Sequence, residues 1–182
     1  MTGFQIWLVE QLSSVQLVST FMHSKWGWPI CETLHFIGLS MLVGAIGTFD
    51  LRLLGLARRI PIGALHRLIP WGVAGYVLNV MTGLMFLVTD PSEYIFNSAF
   101  HFKMLFMGVA GLNILMFYTL VFRRVVALAP GQDVPRLGRV VGAVSLVMWI
   151  GVIVSGRMLT FYRPGICGPA GGGFLASCIP FN

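Results

Sequence analysis

The chain has 182 residues, 57% of them apolar and 10% charged, with a mean hydropathy of +0.85. A soluble domain of this length carries about 25% charged residues, so the composition specifies an integral membrane protein and excludes a free-standing soluble enzyme. The net charge of +6 arises from 12 Lys+Arg against 6 Asp+Glu; the basic residues flank apolar runs, which makes them topology signals and excludes a nucleic-acid surface.

The N-terminal stretch MTGFQIWLVEQLSSV holds an acid and no basic run, and reads as retained sequence, not a signal peptide. Phe4, Leu8, Leu12, Val15, Val18 and Met22 recur at helical spacing, with Gln5, Glu10, Gln11, Ser13, Ser14 and Gln16 on the remaining surface. This pattern predicts an amphipathic helix over 1–24 lying in the membrane interface. A fifth span is the competing reading, which Glu10 and the Gln/Ser run oppose. Trp26-Gly27-Trp28-Pro29 then turns the chain into the bilayer, with indoles at headgroup level.

Stretches from Thr33 to Phe49, Leu68 to Thr89, Met104 to Phe122 and Val140 to Gly156 lack charge over nearly a membrane's thickness, apart from Asp50 just beyond the first. Backbone groups in lipid must be satisfied within the segment, and apolar runs without two-residue alternation exclude a barrel. The expected fold is therefore an all-α four-helix membrane bundle, one domain over 1–160 with spans at about 31–54, 68–89, 101–122 and 138–159. A Gly/Pro-rich tail occupies 161–182.

Arg52, Arg58, Arg59 and Arg67 fall in the first inter-span loop, and Arg123, Arg124, Arg136 and Arg139 in the third, whereas the second loop offers Asp90 and Glu93. The positive-inside rule then predicts both termini on the outer side of a bacterial inner membrane. Cys167 and Cys178 in the tail would meet an oxidising compartment and form a disulfide, or remain as two free thiols.

Polar residues within spans are costly and therefore mark candidate sites. His35 and His101 fall in the first outer turns of the first and third helices, at matched depth. Two imidazoles on different helices of a small bundle suit a b-type haem, with Lys103, Arg157 and Arg163 near its propionates and His23 as a fallback ligand. Met22, His23, Cys31, His35, His101, Met104 and Met158 form an overlapping set whose soft and imidazole donors suit copper. Glu32, one turn before His35, would orient that imidazole or pair with Lys103. His66, among arginines on the opposite side, reads as solvated. Asp50 would pair with an arginine of another loop, and Asn79 and Asn113 would bond across helices. Small residues stripe the spans at Gly72, Gly75, Gly83, Gly108, Gly111, Gly138, Gly142, Gly151 and Ser155, either for close packing or to admit a flat cofactor.

Glu32 to His35, Asp50-Leu51-Arg52-Leu53-Leu54-Gly55, Pro70-Trp71, Thr82-Gly83, and Asn97 with Phe100 and Lys103 together resemble a bacterial four-helix inner-membrane family of unknown function, across about residues 26 to 115. That family is distantly similar to copper-resistance membrane domains and b561-like cytochromes. The resemblance implies a four-helix membrane unit, with His35 on the family's motif.

The expected function is a membrane electron-transfer subunit binding haem b near the outer face, part of a redox complex and not a stand-alone enzyme. Alternatives are a non-catalytic anchor or assembly subunit, and a copper-handling protein. Expected partners are the bilayer and other membrane or periplasmic subunits.

Overall fold

A computed structural model describes residues 3–166 and 178–179. Two short helices, α1 (Gly3–Ser13) and α2 (Gln16–Met22), precede α3 (Gly27–Leu53). After α4 (Ile62–His66) come α5 (Ile69–Thr89), α6 (Pro91–Ile95) and α7 (Ser98–Met116). A π-helical turn (Phe117–Val121) leads into α8 (Phe122–Val126), and α9 (Arg136–Met158) completes the helices. Beyond them, Gly165–Ile166 pairs in parallel with Cys178–Ile179.

Among the described residues, four helical stretches are long and apolar enough to cross a membrane: Gly27–Leu53, Ile62–Thr89, Ser98–Val126 and Arg136–Met158. The chain is thus an all-α, multi-pass bundle in contact with lipid. One correction concerns the N-terminus, where a single helix over 1–24 was expected. Ser13 and Ser14 turn their hydroxyls back onto the carbonyls of Val9 and Gln11, at 2.8 and 2.6 Å, and the helix ends there. Short hydroxyl side chains offer the backbone this alternative to helical bonding. The sharp turn into α3 requires Gly27, since a Cβ there would strike the Phe21 carbonyl.

The bundle is built as two helix pairs. Along α3 and α5, Gly38 and Gly75 face each other so closely that a Cβ on either would collide with backbone of the opposite helix. In α9, Gly151 receives the ring of Phe106 from α7, and lower down the Asn113 amide donates to the Val141 carbonyl at 3.0 Å. Association in lipid relies on such close packing and interhelical hydrogen bonds, the latter contributing about 0.6 kcal/mol each. The pairs meet through α3 and α9, where Gly142 lies against Leu53 and the Asp50 carbonyl. By contrast, Gly108 and Gly111 face open space.

At the end of the bundle that carries the arginine loops, Phe49, Leu53, Ile62, Val121, Val125 and Val141 form a continuous buried cluster. Arg52 is buried there too, giving Nε to the Ile60 carbonyl at 2.8 Å and Nη2 to the Arg58 carbonyl at 3.1 Å. Asp133 receives Arg58 at 2.9 Å and Arg139 at 3.4 Å, tying the two arginine loops together. At the opposite end, Asn97 caps α7 by accepting from the Ala99 amide and donates to the Tyr162 carbonyl at 2.8 Å. The segment after α9 is thereby held against the α5–α7 connection.

Candidate functional site

All four spans converge on a cavity of ≈ 190 Å³ between the two helix pairs. His35 of α3, Tyr76 and Asn79 of α5, Lys103 of α7 and Trp149 of α9 supply its polar groups, and the remaining wall is aliphatic, aromatic and thioether. His35 lies eight residues into α3 and Lys103 five into α7, so at about 1.5 Å per residue both stand within the half of the bundle away from the arginine loops.

The orientation of His35 follows from Thr82. That hydroxyl donates to the Leu78 carbonyl of its own helix at 2.7 Å, an ordinary resting place for threonine in an apolar helix. Its proton being committed, it accepts from the imidazole, whose Nδ1 is 2.7 Å away. The neutral ring is then protonated at Nδ1, and Nε2 keeps its lone pair beside the cavity. Gly83 leaves room for the ring, because a Cβ there would sit 3.9 Å from the His35 Cε1. Phe86 meets the imidazole edge at 5.8 Å.

Lys103 is partly buried in the same wall, and among the described residues no carboxylate forms an ion pair with it. The Trp149 indole nitrogen is buried without a hydrogen-bond partner. Tyr76 packs edge-on to Trp149 at 6.1 Å, and the Asn79 amide donates within its own helix to the Gly75 carbonyl, correcting the expected cross-helix bond.

The other expected site residues are dispersed. His101 turns away from the cavity, and its Nε2 donates to the Ile95 carbonyl at 3.0 Å. It belongs to the join between α6 and α7. His23 is exposed, with Nδ1 2.8 Å from the Ser19 carbonyl of its own helix. Glu32 is exposed, and Thr82 takes the position on Nδ1 of His35 that was expected for it. Arg157 lies over the Phe161 ring at 5.0 Å, and Arg163 pairs with Glu93 at 3.4 Å. Nearby, burial and the adjacent carboxylates of Asp90 and Glu93 push the Tyr94 phenol up to about 12. The side chains of Cys167 and Cys178 lie outside the described residues.

A haem held by His35 and His101 does not fit this arrangement. The two imidazoles serve different structures, and the cavity is closer to the ~150 Å³ that accommodates a single benzene ring in an engineered core than to a four-pyrrole macrocycle. Of the copper set, His35 and Met104 share the cavity wall, joined by Met107. Among the described residues, no three His, Cys, Asp or Glu side chains cluster as a metal site.

Thr82 escaped the chemical reading of the sequence, and its one signal was a hydroxyl beside a glycine within a span. Trp149 and Tyr76 gave no sign of facing inward. No family model, curated protein or solved structure matches the chain, so the resemblance in the Glu32–Lys103 region rests on its motif residues alone.

Proposed function

We propose that the protein is a membrane subunit that binds a lipid-soluble ring compound of the quinone class in the His35–Lys103 cavity, and so serves electron transfer by holding a mobile carrier. The carrying observation is the joint presence, in a largely apolar, ring-sized space, of a pre-oriented imidazole and an ammonium with which no carboxylate among the described residues forms an ion pair. A cation in such surroundings is costly unless an electron-rich group meets it. The carbonyl or phenolate oxygen of a quinone or quinol supplies one at Lys103, while a quinol hydroxyl donates to Nε2 of His35. The aromatic and aliphatic walls take the ring, and a prenyl tail leaves between the helix pairs into lipid.

The test is titration of the detergent-purified protein with a short-tailed ubiquinone, followed through tryptophan fluorescence. Binding is expected, with His35→Ala and Lys103→Met each lowering affinity about tenfold, equivalent to about 1.4 kcal/mol. Equal affinity in wild type and both variants would sink the reading.

A second reading has its own support. An imidazole fixed through Nδ1 is the usual state of a metal ligand, and Met104 and Met107 provide thioether donors beside it. Copper retained by the purified wild type and lost in His35→Ala would favour a copper-handling protein. A Soret band lost in the same variant would restore a haem, with His35 as its histidine ligand.

A further inference from the structure

A second cavity of ≈ 120 Å³ lies toward the arginine end, and Asp50 lines it with Asn113, Ser145 and Tyr118. Asp50 is 4% exposed, and its Oδ2 is buried without a hydrogen-bond partner. A carboxylate in this position is costly as an anion unless a cation or a proton reaches it.

Among the described residues no cation forms an ion pair with Asp50. On α3 itself, Arg52 gives Nε and Nη2 to the Ile60 and Arg58 carbonyls, and its buried Nη1 makes no hydrogen bond to Asp50. On α9, Arg139 pairs with Asp133, and the Ser145 side chain gives Asp50 a hydrogen bond but no charge, leaving Oδ2 without a partner. Asn113 of α7 has committed its amide to Val141, leaving its carbonyl oxygen for the cavity, and α5 contributes only Ile69 and Val73. The π-helical turn brings Tyr118, whose hydroxyl is 3.2 Å from Nε2 of His66 on α4. His66 is half-buried, at the arginine end.

We propose that Asp50 is a proton-exchange site, loaded from the arginine end through His66 and Tyr118. The net change is one O–H bond formed on the Asp50 carboxylate and one broken in a hydronium ion at His66, which is left as water; His66, Tyr118 and the intervening water end with as many protons as they began, and nothing is oxidised or reduced. The cavity is large enough to admit water between the Tyr118 hydroxyl and the carboxylate, given that one water occupies about 30 Å³ in the liquid. The π-helical turn fits this role, since such turns re-aim side chains at working positions of α-helices. The proposal stands independently of the ring-binding cavity.

The test is modification of the full-length protein in liposomes by dicyclohexylcarbodiimide, which adds to protonated carboxyl groups in apolar surroundings, with the modified residue identified by peptide mass. Asp50 is expected to react, its labelling falling about tenfold per pH unit above the midpoint. Because the residue is read directly, no variant has to fold for this result. For the route, the infrared band of the protonated Asp50 carboxyl should appear at least several-fold more slowly after an acid jump in Tyr118→Phe than in wild type. Absence of Asp50 labelling at every pH, or labelling indifferent to pH, overturns the proposal. Protection by sodium at fixed pH also overturns it, in favour of a metal-cation site. An unchanged rate in Tyr118→Phe overturns the route.

Discussion

The two cavities share the same four spans but differ in how their polar groups are finished. Around His35, the acceptor and donor pattern is set in advance: Thr82 fixes the ring, and one nitrogen is left over. Around Asp50, the polar neighbours are hydroxyl and amide groups, and a carboxylate oxygen remains without a partner. The first arrangement suits selection of a shaped molecule arriving from lipid, and the second suits a small charge arriving from water. The lesson is that a bundle of identical topology acquires different chemistry at its two ends from a few polar side chains, while glycines set how far apart the helices stand.

The largest break in this comparison should come from Gly75→Val. Its side chain would enter the backbone of α3 at Gly38 and Leu42, and overpacking of this kind costs about 1–3 kcal/mol. Thermal unfolding in detergent should fall by several degrees and both sites should be impaired. Gly108→Ala, which meets nothing within 4 Å, should leave the melting temperature unchanged; an equal loss would refute the two-pair description.

A sharper separation is expected from Gly83→Leu, which fills the space beside the His35 ring. Quinone affinity should fall by about tenfold, or about 1.4 kcal/mol, while carbodiimide labelling of Asp50 stays at the wild-type level. Loss of both together would mean that the two cavities act as one site.

The smallest effect belongs to Thr82→Val, nearly isosteric but unable to accept from Nδ1 of His35. Loss of a single hydrogen bond contributes about 1 kcal/mol, so affinity should drop roughly fivefold with stability little altered. The imidazole nitrogen resonances, followed by NMR, should show the Nδ1-protonated tautomer in wild type and a mixture in the variant.

The spans were readable because lipid imposes one requirement on every residue of a crossing segment, and composition alone reports whether it is met. His35 was readable for a related reason: an imidazole within such a segment is conspicuous. The partner expected for it was not. Whether His101 turns inward or back toward the preceding connection depends on the fold of Pro91–Ile95, which brings the Ile95 carbonyl within hydrogen-bond distance of its Nε2, and helical spacing says nothing of that connection. Asp50 and Ser145 are far apart in sequence, so their meeting is a product of how α9 crosses α3. The π-helical turn at Phe117–Val121 was equally hidden, because one additional residue in a helical turn leaves no mark on an apolar run.

Arg52 serves two stages in the life of the chain. On the positive-inside expectation, it counts among the charges that would orient the nascent helices, and that rule treats arginine and lysine alike. After folding, the same guanidinium is 1% exposed and fastens the returning chain at Arg58 and Ile60 with two divergent donors, a geometry that a lysine ammonium does not reproduce. Membrane sorting and loop architecture thus place unequal demands on one position, so Arg52→Lys would be inserted the right way round and yet leave the loop unlatched.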